Sequence, residues 1–265
     1  MANIRISEKN RRELSPERDF PAKTPVGRRY CILSSPRSGS TLLGRFLHET
    51  RLAGDPQEYF NPPLLAIERE RSGNPNLSLN EFMRLMEARR TSPNGVFGMK
   101  VHYSQLMGVL RLNKPDAKVF GFVKKFGKLI WIRRRDRIGQ AISQALALRT
   151  QVWSSEDSRF GQESNVNIHP FECVRALRAV CGDDVGWEQL IRAAKLAVHE
   201  VWYEDLVADY KTQCRAVLAY LDLDEDVPNI PAQPIERQSG PLNERLRREL
   251  VAYLGLVNGT EEASQ

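Results

Sequence analysis

Pro36-Arg37-Ser38-Gly39-Ser40-Thr41 gathers a permanent cation, three hydroxyls and a glycine between two apolar stretches. The stretch before it is Tyr30, Cys31, Ile32, Leu33; the one after it, at helical spacing, is Leu42, Leu43, Phe46, Leu47. That order reads as strand, tight loop, helix. It collects free backbone N–H groups and the positive end of a helix dipole around one point, which is a place for a phosphate or sulfate. A turn that only caps a helix would need the serine and the glycine but not the arginine. The GxxxxGK[ST] spacing of an ATP or GTP site is missing, which argues against ordinary nucleotide hydrolysis.

Cys31 and Arg37, separated by five residues and followed by Ser38, also match the Cys-x5-Arg-Ser/Thr pattern of tyrosine phosphatases. That chemistry needs a thiolate at the start of the anion loop. Here Ile32 and Leu33 continue the strand past the cysteine, which places the thiol inside the sheet. A second basic cluster, Arg133-Arg134-Arg135, ends a later apolar run and precedes a helix that presents Ser143. An arginine at a strand end and a hydroxyl two turns along the next helix can converge on a second phosphate. The competing reading is a solvated basic face, or a surface that attracts nucleic acid. The aromatic interleaving of a nucleic-acid groove is absent, so no nucleic-acid partner is expected. Glu58 stands in Asp55-Pro56-Gln57-Glu58-Tyr59-Phe60, a short loop beyond the first helix. If the loop folds back over the anion site, its carboxylate can accept a substrate proton; otherwise Glu58 is one more surface glutamate. His102 follows a strand and could line the same cleft.

The elements that must position these groups alternate. A first βα unit spans 29–50. Ser78 and Glu81 form a capping box for a helix through Arg90, and Pro93-Asn94-Gly95 turns the chain into a strand from Val96 to Val101. A third strand is expected at Leu129 to Ile132, then Asp136 as the N-cap of a helix through Leu148. Separate helices are expected near 171–181 and 186–196, then a short strand at Ala197 to Val201. One helix through Leu221 should follow, and a last one over 242–254. Strands alternating with helices predict an α/β fold with a mainly parallel sheet.

The chain has 265 residues and 41% hydrophobic content, enough to bury a sizeable core in one domain over 28–257. Residues 1–27 are charged and poor in apolar groups and read as a flexible arm; 258–265 read as a tail. A net charge of +6 suits an anionic ligand. No apolar run suits a membrane span or the core of a signal peptide. The four cysteines lack zinc-like spacing and read as reduced thiols of a cytoplasmic protein.

Taken together, PRSGSTLL (36–43), GDPQEYF (54–60), NGVFGMK (94–100), RRRD…QAIS (133–143), RTQVW (149–153), YEDL (203–206) and ERQ (236–238) resemble PAPS-dependent sulfotransferases. The closest resemblance is to the bacterial trehalose 2-sulfotransferase family, with the Nod-factor and lipopolysaccharide sulfotransferases more distant. It implies a P-loop-like sheet flanked by helices and the donor 3′-phosphoadenosine-5′-phosphosulfate (PAPS), with no metal. By the same resemblance Arg37, Ser38, Gly39, Ser40 and Thr41 hold the 5′-phosphosulfate, with Arg37 also stabilising the transferring group. Arg134 and Ser143, joined by Arg237, hold the 3′-phosphate, and Glu58 is the general base. Asp55, Gln57, Tyr59 and Phe60 around it are assigned to the acceptor. The expected acceptor is a carbohydrate or glycolipid hydroxyl, with peripheral membrane contact if it is a lipid, and the related enzymes imply a homodimer. The trehalose enzymes differ at Pro36 and after the glutamate loop, so donor and chemistry carry over better than the identity of the sugar. The alternative is a PAPS- or nucleotide-binding protein without turnover.

Overall fold

The computed structural model describes residues 5–21, 24–113, 115–154, 157–160, 166–224 and 240–255. Four parallel strands, β1 (Arg28–Ser34), β2 (Val96–His102), β3 (Lys128–Arg133) and β4 (His199–Trp202), lie in the order β2-β1-β3-β4. Their β-branched and aromatic content suits strands buried on both faces. Cys31, Leu33, Met99, Val101 and Trp131 form one layer, and Tyr30, Ile32, Ile130, Ile132 and Val201 the other. Tyr30 pairs with Gly98, where a Cβ would run into the tyrosine ring.

The helices are α1 (Glu8–Glu13), α2 (Ser40–Glu49), α3 (Pro62–Ser72), α4 (Leu79–Arg90), α5 (Tyr103–Leu110), α6 (Ala117–Val123), α7 (Arg137–Thr150), α8 (Pro170–Ala194), α9 (Tyr203–Ala208), α10 (Tyr210–Tyr220) and α11 (Pro241–Tyr253). The Ser78–Glu81 box starts α4, and Asp136 caps α7 through the Gly139 N–H. α7, α8 and α11 share a third apolar cluster built on Ile142, Ala145, Cys173, Leu246 and Leu250. Among the described residues no helix is long and apolar enough to cross a membrane.

Three expectations need correction. The two helices expected over 171–196 are one, α8. Its mid-helix carboxylates find partners outside the helix: Asp183 accepts from Ser104 N and Oγ, and Asp184 Oδ2 pairs with Arg133 and Arg137. The single helix expected after β4 is two, α9 and α10, because Asp209 ends one and caps the next. The segment before β1 is not a loose arm over its described residues. Leu14 and Phe20 are buried, and Arg18 Nε donates to Asp55 Oδ2 at 3.0 Å. The buried Arg90 reaches the same carboxylate, Asp19 and the Ser15 carbonyl. Residues 225–239 and 256–265, with Arg237 and the tail, lie outside the described residues.

Candidate active site

Every strand ends at one pole of the sheet, and the loops leaving those ends surround a cavity of about 830 Å³. The chain leaves β1 toward β2 on one side while β3 lies on the other. Ligands of open parallel sheets bind at such a reversal of strand order, beyond the strands' carboxyl ends.

β1 supplies the anion loop. Arg37 adopts φ 61° and Gly39 φ 93°, both left-handed. Gly39 is the N-cap of α2 and carries no side chain to cap it, so the first-turn N–H groups are left open toward the cavity. Ser38 Oγ is buried without a hydrogen-bond partner among the described residues, an orphaned donor beside those N–H groups. Both features fit a phosphosulfate oxygen. Arg37 Nε donates to Ser143 Oγ at 2.9 Å and its NH1 to the Trp153 carbonyl at 2.7 Å. Arg37 and Ser143, expected at opposite ends of a donor, therefore touch, because α7 runs back along the loop. Arg37, Gly39, Ser40, Thr41, Arg134 and Ser143 all line the cavity.

β3 delivers three arginines with different surroundings. Arg133 pairs with Asp184 and Glu200 and lies over Trp131, while Arg135 pairs with Asp205. Arg134 alone of the three lines the cavity, 4.8 Å from the Tyr203 ring centroid and 3.8 Å from Asp136. Arg247 of α11 donates to Asp136 Oδ1 at 2.7 Å and lines the same end.

Glu58 is buried at the other end. Its Oε1 lies 3.6 Å from Lys9 Nζ and 3.5 Å from Lys100 Nζ; its Oε2 lies 3.3 Å from His102 Nε2 and accepts from Gln105 Nε2 at 2.9 Å. Burial pushes the carboxyl up, but Lys9, His102 and Lys100 outweigh it and hold the group well below the usual carboxylate range. Lys100 is buried as well and lies 3.2 Å from Thr41 Oγ1 on the anion loop. Burial pulls its ammonium below the ordinary lysine value despite the Glu58 charge.

Of the run around Glu58, only Glu58 itself turns into the cavity. Asp55 is fully buried on Arg18 and Arg90, Gln57 donates to Asp55 and bridges to Met99, and Tyr59 packs between Phe82 and Phe97 with its hydroxyl on the Asp55 carbonyl. Phe60 lies against Phe122. None of the four lines the cavity; Asn61 and Pro63, just beyond, do. The run is pinned beside β2, where Lys100 N donates to the Gln57 carbonyl, which turns Gln57 and Tyr59 to the core and Glu58 between them to the cavity. The Cys31 thiol is fully buried in the sheet and pushed up by that burial, which disposes of a phosphatase thiolate. Lys9, Gln105 and Arg247 carry no signal in the sequence, while Lys100 and Tyr203 lie in the NGVFGMK and YEDL stretches with no role assigned to either.

The Stf0 sulphotransferase family model matches residues 29–248. A trehalose 2-sulfotransferase from Mycolicibacterium smegmatis is 26% identical over 83% of this chain and 94% of its own length. One from Mycobacterium tuberculosis is 25% identical over 80% of this chain and 90% of its own. Among solved structures, a sulfotransferase from Alicyclobacillus acidocaldarius superposes with a TM-score of 0.50 at 15% identity, covering 89% of this chain and 93% of that one, a likeness of fold. With the family match spanning every strand and the whole anion loop, the chain belongs to the Stf0 sulphotransferase family and is a sulfotransferase.

Proposed function

We propose that the protein moves a sulfuryl group from PAPS to a hydroxyl of a carbohydrate or glycolipid, and that Glu58 takes the hydroxyl proton. Lys100 carries this reading: one buried ammonium lies 3.2 Å from the anion loop at Thr41 and 3.5 Å from Glu58. A group held by the loop and a hydroxyl held by Glu58 are thereby brought to adjacent positions.

When bound, the donor supplies an activated sulfuryl group with phosphate as its leaving group. The open first turn of α2, Ser38, Ser40 and Thr41 bind its phosphosulfate oxygens, and Arg37 neutralises charge that grows there during transfer. Arg134 and Ser143, with Arg237 and Arg247, take the 3′-phosphate. Glu58 is ionised at neutral pH, since its neighbours hold it low. So weak a base removes the proton only as the hydroxyl oxygen gives up its electrons, in concert with attack. His102 and Gln105 fix Oε2, leaving the carboxylate one orientation. Ser7, Asn61, Ser104 and Gln105 give the acceptor end hydrogen-bonding side chains, which suits a polyhydroxyl substrate. The trehalose acceptor named for two relatives supports a carbohydrate.

The test is transfer of label from PAPS to trehalose and to a panel of bacterial glycans and glycolipids. Labelled product is expected in at least one; PAP binding without transfer to any would overturn the acceptor class. Glu58→Gln should keep PAP binding while transfer falls by about 10²–10⁴-fold. Transfer near the wild-type rate would remove Glu58 as the base.

A further inference from the structure

The family match begins at residue 29, and α1 lies in front of it. That segment nevertheless reaches the acceptor end of the cavity, where Arg5, Ser7, Lys9 and Asn10 form a wall. It is anchored there by the burial of Leu14 and Phe20 and by the Arg18–Asp55 pair. Lys9 turns inward, its side chain only 15% exposed, 3.1 Å from Glu13 Oε1 and 3.6 Å from Glu58 Oε1.

We infer that Lys9 is a positioning residue for Glu58, and that α1 closes the acceptor end of the active site to make it so. The inference rests on Glu58 acting as the base. The charged groups around that carboxylate come from three elements: Lys9 and Glu13 from α1, Lys100 and His102 from β2, and Arg37 from the anion loop, which acts on Lys9. Gln105 of α5 is a neutral donor. Without Lys9, Oε1 keeps only Lys100, whose ammonium is also 4.0 Å from Glu13. Two buried carboxylates then compete for one cation, Glu58 is drawn toward the loop, and its affinity for a proton rises.

The experiment compares the full-length wild type with Lys9→Met, Lys9→Arg and Glu58→Gln. The Glu58 carboxyl carbon resonance, identified by its loss in Glu58→Gln, is titrated, PAP binding is measured by calorimetry, and transfer is followed against pH. In Lys9→Met the resonance should titrate at higher pH than in the wild type, and PAP affinity should stay within about twofold because the donor end is untouched. Acceptor kcat/KM should fall about tenfold or more, with its acid limb displaced upward, as expected for a misplaced reacting group. Lys9→Arg should recover most of the rate. A resonance that titrates as in the wild type, or an unmoved acid limb, would overturn the inference. Should Lys9→Met fail to fold, Lys9→Gln takes its place under the same two criteria. If Glu58→Gln transfers normally, the base assignment fails, while the titration still reports the Lys9–Glu58 coupling separately.

Discussion

Gly39 bears two constraints at once. Its φ of 93° is costly for any side chain, and a Cβ there would sit 2.5 Å from Tyr203 Cδ2, pushing that ring away from Arg134. Gly39→Ala should therefore cost about 1–2 kcal/mol of folding stability from the backbone alone, read by urea unfolding, and PAP binding should weaken as Tyr203 is displaced, read by calorimetry. Cys31→Ser is the opposite case. The thiol touches no part of the cavity, so transfer per folded molecule should be unchanged, and phosphoester hydrolysis should be absent before and after. A variant that lost transfer while remaining folded would reopen the Cys31–Arg37 pattern. At this scale the order of strand, loop and helix around 36–41 is legible, because the three are contiguous. The companions of Glu58 are not: Lys9 and Lys100 come from segments far apart in sequence, and spacing along the chain says nothing of such meetings.

Among the elements, the N-terminal segment is held by a buried carboxylate. Burial pushes Asp55 up, but the Arg18 hydrogen bond and the Arg18, Arg90 and His48 charges bring it down to about 2. A carboxyl depressed in the folded state stabilises it fully above its ordinary value of about 4, and that contribution is lost as pH falls toward 2. Asp55→Asn leaves two guanidinium groups short of their counter-charge. It should cost about 3–5 kcal/mol, measured by urea unfolding near neutral pH, with the difference from wild type shrinking in acid. Nothing in the sequence hints at this clamp, since Arg18 and Asp55 are 37 residues apart and the segment before β1 lacks apolar periodicity. Capping boxes and strand ends were readable because Ser78–Glu81 and Asp136–Gly139 act within one turn. α8 reads as two helices in the sequence for the complementary reason. Gly182, Asp183 and Asp184 look like a break in the sequence, but in the fold Ser104, Arg133 and Arg137 partner the two carboxylates.

For the whole molecule, charge and topology have separate consequences. A net +6 surrounds a cavity whose proposed donor is a multiply charged anion. PAP binding should weaken steadily between about 0.05 and 0.3 M salt as the Debye length shrinks, whereas KM for a neutral sugar should change little. A steady-state salt series checks both. The strand order has a consequence of a different kind. β1 is the first strand to be synthesised, yet it lies between β2 and β3, with Tyr30 pairing to Gly98 on one side and Lys128 on the other. On a ribosome it emerges with both edges open, and it must wait for residues 96–102 before one is covered and for residues 128–133 before the other. Pulse-labelled hydrogen exchange during refolding should find β1 and β3 gaining protection together and late. The anion loop hangs from that strand, so this part of the proposed donor site, made before residue 42, becomes usable in a nascent molecule only after both flanking strands have been made.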